Sequence, residues 1–192
     1  MNKLSYIISE LERIYDIFAE RHGLKCPRPL ICIQSRGRSE TLLGWYSSKR
    51  WKRGEEEVSE ITLAAERLNY SPVETLLHEM AHFANDSLGI ADCNSQGYHN
   101  TEFKSKAEEY GLNVEKSGRR GWAHTSISPE LQKYVDTLKI NYDLFNILRQ
   151  GRKSSKAPTK MKKFTCSCTT IRCATSLAAS CKQCGQDFVE RL

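Results

Sequence analysis

Two histidines and a glutamate in the middle of the chain have the spacing of a metal centre that could hydrolyse a peptide bond. Residues 75–83 read TLLHEMAHF, which places His78 and His82 four positions apart. Residues at this spacing share one face of an α-helix, so both imidazoles can chelate one ion. Glu79 can then act as general base toward a water that the metal activates. The alternative interpretation is an ordinary amphipathic helix that carries two unrelated histidines.

A catalytic zinc ion needs a third protein ligand and one open position. His99 is the favoured third ligand, because it precedes a predicted helix and a helix-loop-helix return can bring it back to the metal. His124, Asp92 and Cys93 are further candidates for the third ligand, and Asp92 or Cys93 as a fourth ligand would close the site. His124 lies in a segment predicted to be irregular, and it is preferred over Tyr98 as the candidate for stabilising the oxyanion. The remaining ligand candidate is His22, at the end of the first predicted helix.

Paired cysteines near the end of the chain predict a second metal site, of a structural kind. Cys166 and Cys168 form one pair, and Cys181 and Cys184 form the other. Four thiolates bind zinc tetrahedrally and stabilise a unit that is too small for a core of its own. A disulfide scaffold is the alternative, but the chain shows no export signal, which favours metal. Cys173 lies in an apolar stretch and is assigned to packing or, less favourably, to a substitute ligand.

The predicted elements around these residues are helices and short strands. Apolar residues recur every three or four positions over 2–21, which predicts an amphipathic helix. Ser71 and Pro72 predict the start of the helix that carries the histidines, with Ser71 as its N-cap. The other predictions are strands at 30–34, 41–46 and 58–63, an exposed basic connection at 47–54, a helix at 100–110, an irregular segment at 112–128 and a helix from Pro129 to about Gln150.

The composition indicates a folded chain with a basic tail. Of 192 residues, 39% are hydrophobic and 27% charged, which excludes wholesale disorder, and no apolar run is long enough to span a bilayer. The net charge is +6, yet residues 151–192 hold nine Lys or Arg against two acids, so the rest is close to neutral. We therefore predict a body at 1–150, a basic linker at 151–163 and a small Cys-rich domain at 164–192.

Three of these segments together resemble the SprT-like zinc metallopeptidase family, which includes Spartan-type proteases of DNA-crosslinked proteins. They are residues 60–63, 78–82 and 97–103, with the sequences EITL, HEMAH and GYHNTEF. The resemblance implies that His78, His82 and His99 bind zinc and that Glu79 is the general base. Tyr98 departs from the family, in which glycine usually precedes the third histidine directly. Many members also carry a C-terminal zinc ribbon, and residues 164–168 resemble its opening.

The sequence therefore predicts an α+β protein with a zincin-like helical body, a small antiparallel sheet and a C-terminal zinc ribbon. We expect one catalytic and one structural zinc ion, and a protein or peptide substrate associated with DNA. The rival hypothesis is a non-catalytic adaptor, stabilised by zinc, that binds DNA or a protein. We also expect a cytoplasmic monomer, with association with the nucleoid, no membrane partner and a preference for single-stranded DNA. The candidate contacts to nucleic acid are Lys156, Lys160, Lys162 and Lys163.

Overall fold

The computed structural model of the chain describes residues 3–35, 42–150 and 161–191. The chain divides into two compact units, Met1–Gly151 and Arg152–Leu192. Helices and strands alternate irregularly in the first unit, so the α+β class is confirmed. Within the described ranges, no helix has both the length and the apolar character needed to cross a bilayer. The elements of the first unit are α1 Leu4–Arg21, β1 Leu30–Gln34, β2 Gly44–Arg53, β3 Glu56–Ala64, α2 Pro72–Ser87, α3 Thr101–Glu109, β4 Leu112–Ser117, β5 Gly121–Ile127 and α4 Pro129–Thr137.

The main sheet of the body is mixed, whereas the small antiparallel sheet that the sequence predicts is formed by β4 and β5. The strand order of the main sheet is β1-β3-β2, with β1 parallel and β2 antiparallel to β3. The hairpin between β2 and β3 turns at Gly54 and uses one edge of β3, so β1 pairs with the other edge. Strand β2 consequently lies at the edge of the sheet, where one row of its backbone groups has no strand partner in the described fold.

The core lies between one face of this sheet and helices α1 and α2. The amphipathic pattern of α1 is confirmed, because its buried residues recur at spacings of three and four. From the sheet, Ile31, Ile61 and Leu63 point to the same core. Each fully buried aliphatic side chain of this kind contributes about 1.5–3 kcal/mol. The buried residues of α1 are Ile7, Leu11, Ile14, Tyr15 and Phe18.

The predicted connection at 47–54 is instead the exposed half of β2. Two of its basic residues face acids across the hairpin, since Lys52 lies opposite Glu57 and Arg53 opposite Glu56 in the strand register. The ammonium of Lys49 also lies 3.6 Å from a Glu57 carboxylate oxygen. Opposite charges on facing strands stabilise a hairpin, so this segment is a charge-balanced extension of the sheet.

Two further predictions in the second half of the body are wrong. Residues 112–128, predicted to be irregular, form the antiparallel hairpin β4–β5. The helix predicted to reach Gln150 ends at Thr137. Lys139 has a φ of 50°, a left-handed conformation that an α-helix cannot continue through. A short 3-10 helix, Tyr142–Phe145, follows and buries Phe145.

The second unit contains a three-stranded antiparallel sheet. Its strands are β6 Lys162–Thr165, β7 Thr170–Cys173 and β8 Val189–Arg191, in the order β7-β6-β8. Lys162 and Lys163 belong to β6, so the predicted linker extends too far toward the C-terminus. Its remaining part, residues 151–160, lies outside the described residues.

Candidate metal centres

Helix α2 presents His78 and His82 to one side of the body, as the four-residue spacing predicts. The helix begins at Pro72. Ser71 occupies the N-cap position, as predicted, but it has a φ of 41° and its side chain makes no cap to the helix backbone. The Ser71 side chain is hydrogen-bonded instead to the carboxyl of Glu74, in the first turn. The start of the helix therefore depends on Pro72, whose φ is preset for a first helical position.

His99 joins the two helix histidines from the loop that precedes α3. The possible ligand atoms of the three imidazoles all lie within 4.8 Å of one another, and His82 Nε2 is 3.0 Å from His99 Nε2. Nitrogens bound to one tetrahedral zinc ion at its usual bond length are about 3.4 Å apart. The Phe103 ring, centred 4.5–4.6 Å from each imidazole, packs against all three. The structure thus brings the three predicted ligands together, and their role as zinc ligands stays a prediction.

Each imidazole is held at its Nδ1 atom by a different partner. His82 Nδ1 lies 3.0 Å from both carboxylate oxygens of Asp92, and His99 Nδ1 lies 3.2 Å from the Gly97 carbonyl oxygen. His78 Nδ1 lies 3.2 Å from the Thr125 hydroxyl. Because a histidine that donates from Nδ1 keeps a lone pair on Nε2, His82 and His99 are oriented as metal ligands require, and His78 is so oriented when the Thr125 hydroxyl accepts from it. This donor set fits a zinc ion.

The other ligand candidates do not belong to the group with metal-site spacing. Asp92 is buried, and its carboxylate also accepts a hydrogen bond of 3.0 Å from the Asn85 amide, so both oxygens serve to orient His82. The thiol of Cys93 contacts the carbonyl of the next residue. His22 stacks on Tyr110 with a centroid distance of 4.2 Å. Among the described residues of the body, the group with metal-site spacing therefore consists of the three histidines.

The carboxyl of Glu79 is buried between α2 and the edge strand β2. Only 5% of the residue is exposed, and its carboxyl accepts a hydrogen bond from the backbone N–H of Tyr46. Gly44 permits the close approach of strand and helix, because a Cβ there would lie 2.7 Å from Thr75 Cγ2 and 3.3 Å from Glu79 Cγ. Burial raises the pKa of Glu79 to about 7. A carboxyl with this pKa can both accept and return a proton near neutral pH.

Burial also keeps most of the ligand cluster uncharged. It lowers the pKa of His78 well below its ordinary value and that of His99 to about 4. Burial is also the largest effect on His82 and acts in the same direction, but the hydrogen bond with Asp92 and the charges of Glu79 and Asp92 together outweigh it and leave the pKa of His82 raised. Neutral imidazoles bind metal without first losing a proton, so His78 and His99 are prepared for binding at neutral pH.

The raised pKa of Glu79 predicts that, without metal, the native chain and the Glu79→Gln variant differ in stability by an amount that depends on pH. A group whose pKa is higher in the folded state adds stability below its unfolded pKa and loses it as pH rises through the folded value. For Glu79 this window runs from 4.5 to about 7. Glu79→Gln cannot ionise, so at pH 8 we expect it to be more stable than the native chain by about 3 kcal/mol.

Urea unfolding at pH 4 and pH 8 measures this difference. All three tryptophans lie in the body, so their fluorescence reports the unit that contains Glu79. The matched control is Glu130→Gln, in the exposed first turn of α4. An equal stability difference at both pH values for Glu79→Gln would show that the carboxyl is not desolvated as described.

Strand β5 fixes the backbone of His99. The His99 N–H donates to the Arg120 carbonyl, and the Trp122 N–H donates to the His99 carbonyl, each at 3.0 Å. Gly121, between these two residues, has a φ of 67°. A Cβ at Gly121 would overlap the His99 carbonyl oxygen and lie 2.9 Å from Cζ of the Tyr98 ring. The segment that the sequence predicts to be irregular is thus the support of the third histidine.

His124 does not join the three histidines. Its neighbour Thr125 faces α2, and successive side chains on a strand point to opposite faces, so His124 points away. His124 is exposed, and it acts electrostatically on Glu74. Burial raises the pKa of Glu74, while hydrogen bonds from Thr125 and Ser71 and the charge of His124 oppose this. The proposed role of His124 at the oxyanion stays a prediction that the geometry does not favour.

The four predicted cysteines of the second unit converge on one point. Their sulfurs lie within 4.8 Å of one another, with 3.6 Å between Cys166 and Cys168 and 3.5 Å between Cys168 and Cys181. Sulfurs of a zinc tetrahedron are about 3.8 Å apart. Hydrogen bonds from Ser167 and from the backbone of Gln186 lower the pKa of Cys184 to about 6. The cluster is compatible with a zinc ribbon.

The remaining cysteine predictions concern disulfides and Cys173. All eight cysteines of the sequence lie in described ranges and are free, so the structure contains no disulfide scaffold among them. Cys173 is half-buried on β7 and lies outside the cluster of four. Its assignment to strand packing is consistent with this position.

One face of the sheet of the second unit carries a row of three cations, which we call the basic row: Lys163, Arg172 and Arg191. Lys163 stands directly opposite Arg172 on β7 and Arg191 on β8, and all three residues are exposed. Lys162 faces the other side and pairs with Glu190 at 3.1 Å. Sequence reasoning selected the lysines and missed both arginines, which only the strand register brings to Lys163. Two further predicted contacts, Lys156 and Lys160, lie outside the described residues.

The comparison with known proteins assigns a family from residues of the first unit and does not cover the second unit. No curated protein and no solved structure matches this chain. A sequence model described as the SprT-like family matches residues 11–120, which include α2, the three histidines and Glu79. The match covers more than half of the 192 residues. This chain therefore belongs to the SprT-like family.

Proposed function

We propose that the chain is a zinc metallopeptidase with a zincin-like body. The observation that carries this proposal is the position of Glu79, a buried carboxyl next in sequence to the first of three clustered histidines. A structural zinc ion has no need of an adjacent proton acceptor whose pKa is close to 7. The rival hypothesis of a non-catalytic adaptor requires a fourth protein ligand, whereas Asp92 orients His82 from the opposite ring nitrogen.

Peptide hydrolysis requires an activated water and a proton for the leaving amine. The three histidines would hold zinc, which supplies a Lewis acid for the scissile carbonyl and lowers the pKa of a water. Glu79 accepts a proton from the attacking water as the C–O bond forms. It then returns the proton to the amine nitrogen as the C–N bond breaks, which leaves a carboxylic acid and an amine. The Tyr46 N–H holds the Glu79 carboxyl in place between these steps.

The free edge of β2 favours an extended substrate. The Ala64 N–H donates to the Leu43 carbonyl at 2.8 Å, and hydrogen-bonded pairs alternate along an antiparallel ladder. The backbone groups of Gly44 and Tyr46 therefore point away from β3, as the contact of the Tyr46 N–H with Glu79 also indicates. Because the Tyr46 N–H is already taken by Glu79, an unfolded peptide would pair with the other backbone groups of this edge and pass beside the general base. We propose that substrates are unstructured or locally unfolded protein segments.

The basic row supports the proposal that the ribbon holds DNA near the substrate. Like charges directly opposite one another on neighbouring strands destabilise a sheet. The three cations of the row nevertheless align across all three strands, with no acid among their register partners in the described sheet. A polyanion would offset this repulsion and release counterions on binding. The predicted cytoplasmic location and monomeric state are compatible with this role and stay predictions.

Replacing the basic row is expected to reduce the salt dependence of binding to single-stranded DNA. Each phosphate contact contributes about 0.7 to the slope of log K against log salt. The triple variant Lys163→Ala, Arg172→Ala, Arg191→Ala should therefore bind with a slope shallower by about 2. Fluorescence anisotropy with a labelled oligonucleotide at several salt concentrations gives both slopes.

The matched control for the basic row is Lys162→Ala, on the opposite face of the same strand. Its ammonium is already paired with Glu190, so the slope should stay at the native value. Native salt dependence in the triple variant would exclude the basic row as the DNA contact.

The proposed substrate class is tested by cleavage of one protein in two states. A protein bound to single-stranded DNA and the same protein free in solution are incubated with the zinc-loaded native chain, and Glu79→Gln serves as the blank. We expect cleavage by the native chain alone, and faster cleavage of the DNA-bound protein. Equal rates for both states would remove the DNA part of the proposal, and equal cleavage by Glu79→Gln would remove the peptidase itself.

A further inference from the structure

A chain of hydrogen bonds connects the first metal-site histidine to a carboxylate that the catalytic proposal does not use. His78 Nδ1 is 3.2 Å from Thr125 Oγ1, and that hydroxyl donates to Glu74 Oε1 at 3.2 Å. Glu74 lies one helical turn before His78 on α2, whereas Thr125 comes from β5. The side chain of Ser71 is also hydrogen-bonded to the Glu74 carboxyl.

The partner of His78 differs in kind from those of the other two histidines. The carboxylate of Asp92 and the carbonyl of Gly97 can only accept, so they require a proton on Nδ1 of His82 and His99. A threonine hydroxyl can donate as well as accept. Alone beside His78, it could donate to Nδ1 and leave the ring proton on Nε2, the nitrogen that must bind the metal.

Glu74 removes this ambiguity. A carboxylate only accepts, so the single hydroxyl proton of Thr125 is directed to Glu74, and the hydroxyl oxygen accepts from His78 Nδ1–H. We propose that Glu74 is a positioning residue that acts through Thr125 to hold His78 as the tautomer whose Nε2 binds zinc. This inference rests on the proposed metal centre. It adds Thr125 to Gly121 as a residue of β5 that supports one of the three histidines.

The location of the two residues agrees with this role. Glu74, Thr125 and His78 are each half-buried, so water competes weakly for their hydrogen bonds. Glu74 and His78 share one face of α2. The hydrogen bonds that link them through Thr125 form only when β5 packs against that face. The same contact joins the β4–β5 hairpin to α2. The experiment must therefore separate the packing of Thr125 against α2 from its effect on the tautomer of His78.

Four variants of the full-length chain make this separation. Thr125→Val keeps the shape and removes the hydroxyl, and Thr125→Ser keeps the hydroxyl. Glu74→Met removes the acceptor, and the double variant Glu74→Met, Thr125→Val tests whether Glu74 acts through Thr125. The matched control is Glu130→Met, in the exposed first turn of α4.

Zinc affinity at the histidine site is measured by competition with a chelator. Cobalt(II) titration supplies an internal reference, because a thiolate charge-transfer band arises only at the four-cysteine site. The proton on the His78 ring is assigned by long-range nitrogen–proton correlation spectra of the metal-free chain. These readouts do not depend on hydrolysis, so failure of the hydrogen-bond chain and failure of the peptidase are distinguishable.

We expect Thr125→Val to weaken zinc binding at the histidine site by about 10- to 100-fold, as is usual for the hydrogen-bond partner of a ligand. Thr125→Ser should restore binding to within about 3-fold, and the double variant should bind no more weakly than Thr125→Val. Glu74→Met should shift the His78 proton from Nδ1 toward Nε2. Native zinc affinity in Thr125→Val, equal weakening by Thr125→Ser, or a native tautomer in Glu74→Met would each overturn the proposal.

Discussion

Glu79→Gln is expected to lower the rate of peptide hydrolysis by about 10²- to 10⁴-fold, the usual contribution of a general acid–base group. Glutamine has nearly the same shape and can still accept the Tyr46 N–H, so the surroundings of residue 79 are retained. It cannot take a proton from water or return one to the amine. The three histidines are untouched, so zinc content should equal that of the native chain. Cleavage of an unstructured fluorogenic peptide, with zinc content measured on the same samples, gives both quantities.

The control for this result is Glu130→Gln, which removes a carboxylate from the surface of α4. It should cleave the peptide at the native rate. Hydrolysis by Glu79→Gln within a few-fold of native would assign the proton transfer to another group. Loss of activity together with loss of zinc would instead show that the carboxyl supports the metal site and not the reaction.

Gly121→Ala is expected to disrupt the three-histidine site by displacing the backbone of His99. The φ of 67° is a conformation that costs a non-glycine residue about 1–3 kcal/mol. The added methyl group would also overlap the His99 carbonyl and the Tyr98 ring. Relief requires β5 to move away from His99, which breaks the two backbone hydrogen bonds at that residue. We therefore expect zinc affinity at this site to fall by about 10- to 100-fold.

Gly118→Ala is the matched control, because it introduces backbone strain at a positive φ without steric overlap of the added methyl group. Gly118 lies in the same hairpin turn and also has a positive φ, of 36°, but a Cβ there would meet nothing within 4 Å. It should lose stability by an amount of the order of 1 kcal/mol and keep native zinc affinity. Chelator competition and urea unfolding measure the two effects. Equal zinc affinity in both variants would show that the contact between Gly121 and His99 does not position the ligand.

The helix-borne part of the site could be predicted from the sequence because it depends on local geometry. The spacing of His78 and His82 follows from helical periodicity, and the amphipathic pattern of α2 identifies the helix. The choice of His99 depended on a short return between two helices, which its position before α3 permits. Local rules therefore indicate which imidazoles can meet, and family resemblance narrowed the choice further.

The support of the site could not be predicted, because it depends on strand pairing. A bulge between Glu115 and Ser117 interrupts the alternation of the β4–β5 hairpin. The prediction chose His124, although the side chain that reaches α2 is its neighbour Thr125. Neighbouring residues on a strand point to opposite faces of the sheet. Residue type alone therefore could not show whether His124 or Thr125 faces α2.

The same limitation applies to charge in the second unit. The lysines were selected because they are consecutive or nearly so in the sequence. The basic row combines Lys163 with two arginines from other strands, and Lys162 is neutralised by Glu190. A linear charge count locates a basic tail without showing which side of its sheet a polyanion would meet.

Restoration of activity by zinc tests the catalytic role of the three-histidine centre most directly. The full-length chain is stripped with a chelator, zinc is returned stepwise, and hydrolysis of an unstructured protein is followed together with occupancy of the two sites. We expect no hydrolysis in the stripped chain and full recovery at about two zinc ions per chain, in proportion to occupancy of the histidine site. Hydrolysis at the native rate by the stripped chain, or no hydrolysis with the histidine site full, would contradict a catalytic zinc centre at His78, His82 and His99.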